Sequence, residues 1–145
     1  MSDFEFENSE FRDFRVPEEK HDLYVELRDT SSSPLHDANM TDIFLLAFGY
    51  GYKKAGREPF KNGRALFQLS SLNNETYWVM KAVAIDEVNS ADILIDNKEI
   101  RKITEEYACG GITELHNKVF APGDSLYSLS DDLIKLYDFE YENAH

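Results

Sequence analysis

A single stretch of sequence constrains the fold more than any other. Residues 43–52 read IFLLAFGYGY, so a helix formed here is apolar around almost its whole circumference. A helix without a polar face has to be buried by other elements, which predicts a domain of packed helices. Gly49 and Gly51 would each cost this helix about 1 kcal/mol relative to alanine. We therefore expect a close backbone contact at these glycines or an early end to the helix.

The other helices are predicted from cap residues, helix-ending glycines and prolines, and apolar residues at helical spacing. They begin near residues 17, 74, 96, 112 and 130, and Thr41 or Asp42 is the predicted N-cap of the central helix. Gly110 and Gly111 are predicted to separate the helix that starts near 96 from the one that follows. Residues expected to share one core are Phe44, Phe48, Trp78, Val79, Ile100, Ile103 and Leu115.

These patterns predict a mainly α fold. We expect an irregular bundle of about six helices with one short strand element near 65–70, where apolar and polar residues alternate. A single helical domain over residues 16–138 would follow an acidic, aromatic N-terminal arm (1–15) and precede an acidic C-terminal tail (139–145). The arm could be disordered, or it could pack its aromatic side chains on the domain.

The charge and the cysteine content narrow the function classes. The chain has 28 acidic and 15 basic residues, a formal net charge of −13, which repels nucleic acid at long range. No apolar run approaches the length of about 18 residues that would predict a membrane span, and no signal peptide is expected. Cys109 is the single cysteine, which excludes an internal disulfide and favours a reducing cytoplasm.

No combination of residues predicts catalysis, a metal site or a cofactor site. None of the four histidines lies at metal-ligand spacing from another ligand. A Cys109–His116 dyad can be written, but a thiol near the C-terminal end of a helix is disfavoured as a thiolate, so a structural cysteine is favoured. Glu105 and Glu106, as helical neighbours, point about 100° apart, and we expect them on charged helix faces. We predict that the protein is not an enzyme and has no hydrolase or nuclease activity.

One local anomaly in this acidic chain is a basic cluster, defined as Lys53, Lys54, Arg57, Lys61 and Arg64. These five residues fall within twelve positions, and the only acid among them is Glu58. The interleaved aromatic residues are Tyr50, Tyr52 and Phe60. Basic and aromatic residues together can bind phosphates and stack bases. The cluster could be a solvated loop, or it could be a docking surface for nucleic acid or for an acidic partner protein.

Two segments carry a family resemblance. They read DIFLLAFGYGYKKAGREPF (42–60) and ADILIDNKEIRKITEEYACGGITEL (91–115). Together they resemble a family of small proteins encoded beside DNA phosphorothioation genes, known as Dnd-system-associated proteins. The resemblance covers roughly residues 16–120 and rests on fold-defining positions, with no catalytic residues to carry over.

The resemblance implies an accessory role in restriction of sulfur-modified DNA or in a related phage-defence system. The implied partner is a larger protein of the same defence operon, and direct binding of nucleic acid is the less favoured alternative. Two function classes therefore stay open. One is a non-enzymatic accessory subunit; the other is a nucleic-acid-contacting or regulatory module that uses the basic cluster, or an acidic DNA-mimic inhibitor.

Overall fold

Four α-helices and a small antiparallel sheet make up residues 12–120, which are the residues described by the computed structural model. The elements are β1 (Asp13–Pro17), α1 (His21–Asp29), α2 (Met40–Tyr50), β2 (Gly63–Gln68), α3 (Asn74–Val88) and α4 (Asn97–Phe120). A π-helical turn, Gly51–Ala55, continues α2, and short 3₁₀ turns cover Glu18–Lys20, Leu69–Ser71 and Ala91–Ile95. The mainly α prediction is confirmed. The helix predicted near 130 lies outside the described residues.

The predicted number of helices is wrong at Gly110 and Gly111. These glycines do not separate two helices, because α4 runs through them without a break. A Cβ atom on Gly110 would lie 2.2 Å from the Gly56 carbonyl oxygen, and one on Gly111 would lie 1.7 Å from that of Ala47. The missing side chains let α2 and the following turn approach the backbone of α4, and this packing offsets the low helix propensity of glycine.

Both alternatives expected for the central helix occur at Gly51. A Cβ atom there would lie 1.8 Å from the carbonyl oxygen of Tyr107 on α4, so the glycine marks a close backbone contact. Regular α-helix also stops at Tyr50, and the chain continues as the π-helical turn. The contact and the change of helix type therefore occur at the same residue.

Helix α4 is the centre of the fold. Ten consecutive residues, 103–112, are buried, because α1, α2, α3, β1 and the π-helical turn all contact this helix. Of the residues predicted to be in the core, Phe44, Phe48, Ile100, Ile103 and Leu115 are buried. No helix within residues 12–120 has the length and apolar character needed to cross a membrane.

Trp78 and Val79 were predicted in the core, and that prediction is wrong. Their exposed fractions are 52% and 49%. Helix α3 buries one side only, through residues that include Tyr77, Met80 and Ala84. Trp78 and Val79 extend from the other side of the helix, which no described element covers.

Polar caps fix the beginnings of three helices. The side chain of Asn39 accepts a hydrogen bond from Asp42 N (2.8 Å), so Asn39 caps α2 and the prediction of Thr41 or Asp42 is wrong. Asn73 caps α3 in the same way, and Asp96 accepts from the backbone of Glu99 at the start of α4, as its sequence predicted. The side-chain oxygens satisfy backbone N–H groups that have no partner within the helix.

The strand predicted near 65–70 is β2, and its partner β1 was not predicted. Phe14 of β1 pairs with Phe67 of β2, and their rings stack with centroids 5.1 Å apart. Residues 13–15 lie within the segment assigned to the N-terminal arm, and here they form part of a strand with Phe14 fully buried. The pairing is interrupted by a bulge at Leu66 of β2, which has no paired residue on β1 because Phe14 pairs with Phe67 and Arg15 pairs with Ala65.

Candidate partner-binding surface

The π-helical turn carries the first two residues of the basic cluster. Lys53 and Lys54 are both exposed, and Lys54 Nζ lies 5.7 Å from the centroid of the Tyr50 ring. The turn is followed by Gly56, whose φ of 81° favours glycine. Single π-helical turns recur at functional sites because they redirect side chains that a regular helix would place elsewhere.

Arg57 is part of the internal structure and not of the open surface. Its Nε and Nη2 atoms donate to Glu106 Oε1 at 3.0 and 2.8 Å, and Nη1 donates to Glu87 Oε2 at 2.7 Å. Glu106 belongs to α4 and Glu87 to α3, so Arg57 ties the loop after the π-helical turn to both helices. Only 25% of its side chain is exposed. The sequence grouped Arg57 with potential contact residues, and the structure separates it from them.

Tyrosines extend this polar network. The Tyr107 hydroxyl donates to Glu87, and the Tyr52 hydroxyl donates to Asp86 Oδ2 (2.8 Å). The donors Tyr107 and Arg57 hold the pKa of Glu87 below its usual value, because they stabilise its ionised form. Desolvation and the bond to Asp86 raise the pKa of Tyr52 to about 12. The network thus fixes the base of the π-helical turn against α3 and α4.

The other two basic residues lie further along the chain. Lys61 is exposed in the loop before β2, and the Arg64 side chain on β2 is 54% exposed with Glu18 Oε1 3.8 Å from its Nη1. A neighbour that sequence reasoning missed is Arg15 of β1, whose side chain is 48% exposed and contacts Asp13 and the carbonyl of Gly63. Only the pairing of residues 13–17 with 63–68 could have indicated it.

The proposed Cys109–His116 dyad is not formed. His116 Nε2 lies 2.8 Å from Glu26 Oε1, and its ring packs against Phe120. Cys109 is buried in the middle of α4, where desolvation raises the pKa of its thiol to about 11. A thiol with such a pKa is almost entirely protonated at neutral pH and is a poor nucleophile. The preference for a structural cysteine is consistent with this position, although the predicted place at a helix end is wrong.

Glu105 and Glu106 do not lie on charged helix faces, and that prediction is also wrong. Each has an exposed fraction of only 8%. Glu106 pairs with Arg57, whereas Glu105 Oε2 accepts a hydrogen bond from Arg15 N (2.7 Å) of β1, opposite the bulge in β2. Burial nevertheless raises the pKa of Glu105 to about 7. Both carboxylates therefore connect α4 to other elements.

The described residues hold no arrangement that is typical of a metal centre. Among residues 12–120, no three His, Cys, Asp or Glu side chains are placed to hold a metal ion together. A cleft of about 290 Å³ opens between the N-terminal ends of α2 and α3. Its lining includes the cap residues Asn39 and Asn73, whose side chains already accept bonds from their own helices, and one carboxylate, Asp42.

The negative charge is unevenly distributed along the sequence. Residues 1–11 and 121–145 contain ten of the 28 acidic residues and only one of the 15 basic residues, so residues 12–120 contain 18 acidic and 14 basic residues. Most of the formal charge of −13 therefore belongs to the two ends of the sequence. The part of the chain that carries the basic cluster is much closer to neutral than the whole.

A known protein family matches most of the chain. Residues 13–143 match the model of a protein family described as DNA sulphur modification system-associated protein 4. The match includes all of the elements described above and extends beyond the segments that carried the resemblance. Neither a curated protein nor a solved structure matches the chain.

Proposed function

The chain belongs to the DNA sulphur modification system-associated protein 4 family, and from this membership we propose that it is a non-enzymatic accessory protein of such a system. It acts by binding a larger protein component of the system. The contact surface includes four residues of the basic cluster, Lys53, Lys54, Lys61 and Arg64, and excludes Arg57.

One observation carries this proposal: the basic cluster divides into an internal anchor and exposed bases. Arg57 is held by two carboxylates and fixes the loop, while the other four basic residues are exposed. Glu58 N also donates to the carbonyl oxygen of Glu106 (2.9 Å), which holds the loop to α4 a second time. A loop that is fixed in this way presents its exposed side chains without a large loss of conformational entropy on binding.

Direct contact with DNA is the second candidate. It is favoured by the uneven charge, because the described residues hold nearly as many bases as acids. The ten acids in residues 1–11 and 121–145 still oppose a polyanion at long range. We therefore favour a protein partner with an acidic surface, and the two candidates differ in their response to nuclease and to salt.

The test is co-purification of the tagged protein with the proteins of its DNA sulphur modification system, with and without nuclease. The variant Lys53→Glu/Lys54→Glu should reduce capture at least about fivefold, because reversed charges repel an acidic partner. Lys98→Glu/Lys102→Glu is the matched control, since it makes the same charge change on exposed positions of α4. Circular dichroism should show that both variants keep the fold.

Each result has a definite meaning. Capture that resists nuclease and is lost only in the cluster variant supports the protein partner, and loss on nuclease treatment supports DNA contact. Equal capture by wild type and both variants would exclude the cluster as the contact surface. Metal-dependent cleavage of DNA by the purified protein would contradict the non-enzymatic assignment.

A further inference from the structure

Within residues 12–120, strand β2 is hydrogen-bonded along one edge only. It pairs with β1, and the bonds Leu69 N to Arg12 O (2.8 Å) and Glu18 N to Asn62 O (2.9 Å) extend the ladder at its two ends. In an antiparallel pair, the backbone N–H and C=O groups of one residue face the partner strand, and those of the next residue face away from it. The bulge leaves Leu66 without a paired residue on β1 and shifts this alternation by one position. Arg64 and Phe67 therefore face β1, whereas Ala65 and Gln68 direct their backbone groups outward.

The outer edge of β2 is open in the described part of the chain. Beyond the β1 ladder, no described residue forms a hydrogen bond with the backbone of Ala65 or Gln68. Both residues are exposed, and so is Arg64, which directly precedes Ala65 in the strand. At the end of the strand, the Gly63 carbonyl has a long contact of 3.4 Å with Arg15 Nη1. The backbone groups of the edge therefore face solvent and are able to pair with a further strand.

The opposite edge of the sheet is closed. Arg15 N faces away from β2, and it donates to the buried carboxylate of Glu105 at 2.7 Å. Helix α4 therefore covers the outer edge of β1. Because one edge is covered, the sheet can grow by a third strand only beside β2.

The charge beside this edge indicates what kind of strand it can accept. Residues 59–74 contain two basic residues, Lys61 and Arg64, and no acidic residue, within a chain of net charge −13. The acidic group recorded beside Arg64 is Glu18, whose Oε1 lies 3.8 Å from Arg64 Nη1, and both side chains are more than half exposed. Both basic side chains are exposed. An incoming strand with carboxylate side chains would gain opposite-charge pairs across the new ladder, whereas a basic strand would be repelled. The bulge and the two positive charges also disfavour pairing of β2 with a second copy of itself.

We propose that the outer edge of β2 binds an extended, acidic segment of the partner protein by strand addition. Backbone hydrogen bonds at Ala65 and Gln68 supply the contact, and Lys61 and Arg64 select for acidic side chains. This inference rests on the proposed function, because it specifies how the partner is recognised.

The test uses immobilised overlapping peptides that tile the proteins of the DNA sulphur modification system of the same genome. The wild-type protein should bind an acidic peptide, and Ala65→Pro should weaken that binding at least about tenfold. Proline removes the outward N–H and is tolerated at an exposed edge or a bulge, so the β1 ladder should survive. Ala65→Ser is the matched control, because it changes the side chain and keeps the N–H group.

Hydrogen exchange gives a second measurement that does not depend on the proline variant. On binding of the peptide to the wild type, the amides of Ala65 and Gln68 should exchange at least about tenfold more slowly. The amide of Phe67, which faces β1, should change little.

The outcomes separate this inference from the proposed function. If partner capture is kept but no peptide protects the two amides, or Ala65→Pro binds as well as Ala65→Ser, strand addition is wrong and the proposed function stands. If neither intact proteins nor peptides of the system bind, both proposals fail. A concentration-dependent dimer that protects the same amides would identify a second copy as the occupant and would also overturn the inference.

Discussion

At the scale of single residues, two adjacent carboxylates in this protein have different partners. Glu105 and Glu106 are adjacent on α4 and equally buried, yet Glu106 faces the guanidinium of Arg57 and Glu105 faces a backbone N–H of β1. The nearest basic group to Glu105, Arg101 Nε, lies 3.7 Å away. Glu105 is therefore a buried carboxylate whose partners compensate only part of the cost of its desolvation.

We expect Glu105 to make stability depend on pH. Because burial raises the pKa of Glu105 from 4.5 to about 7, the folded state binds this proton more tightly than the unfolded chain does. This contribution to stability is fully present below the unfolded pKa and is lost as pH rises through about 7. A raised pKa of this size corresponds to a loss on the order of 2–3 kcal/mol between pH 4.5 and 8.

The variant Glu105→Gln should remove this pH dependence, because the amide oxygen can still accept from Arg15 N and has no charge to desolvate. Urea unfolding of both proteins at about pH 5 and pH 8 measures the difference. The variant should gain stability relative to the wild type as the pH rises. Parallel stability profiles of the two proteins would show that Glu105 has an ordinary pKa.

At the scale of elements, glycines set the distance between α2 and α4. Gly51 faces the Tyr107 carbonyl of α4, and Gly111 of α4 faces the Ala47 carbonyl of α2. Helix α4 and the π-helical turn that continues α2 each provide a glycine at the point where the backbone of the other approaches. Larger residues at these positions would push the helices apart and disturb the π-helical turn that carries Lys53 and Lys54.

The variant Gly111→Ala should be strongly destabilised. The new Cβ would lie 1.7 Å from the Ala47 carbonyl oxygen and 2.5 Å from Gly51 N, so backbone has to move. We expect a loss of about 3 kcal/mol or more, which exceeds the gain of about 1 kcal/mol in helix propensity. Thr113→Ala, at an exposed position two residues later, should change stability by about 0.5 kcal/mol or less. A stabilised Gly111→Ala would mean that the two helices are further apart.

At the scale of the whole molecule, burial depends on which side of each element meets α4. Helices α2 and α3 both have strongly apolar sequences, but α2 lies along α4 at close range while α3 contacts it with one side only. Trp78 and Val79 are therefore exposed, although similar residues on α2 are in the core.

Two aromatic substitutions measure this difference. Phe48 has an exposed fraction of 4%, so Phe48→Ala should cost about 3–5 kcal/mol. Trp78 has an exposed fraction of 52%, so Trp78→Ala should cost about 1 kcal/mol or less despite the larger side chain. Chemical denaturation compares the two variants. Equal losses would mean that Trp78 is packed against the rest of the protein as Phe48 is.

Features that depend on residues close together in the chain could be predicted without the structure. Apolar spacing predicted the mainly α fold and the burial of Phe44 and Phe48, and short polar patterns predicted helices that begin near residues 74 and 96. The spacing of lysine and arginine residues located the basic cluster. The segments 42–60 and 91–115 resembled the family that the match confirmed. These properties arise within one or two helical turns, so they are visible in the sequence.

Features that join distant parts of the chain could not be predicted in this way, because they depend on which segments pack together. Whether Gly110 and Gly111 end a helix depends on the backbone that packs against them, and that backbone comes from residues 47–56. Arg57 is anchored because Glu87 and Glu106 lie beside it 30 and 49 positions later. Among the described residues, the outer edge of β2 is likewise open because β1, about 50 residues earlier in the sequence, pairs with the other edge. Local sequence sets the preference of each segment, but a contact between distant segments decides its final form, because packing and desolvation energies exceed helix propensities.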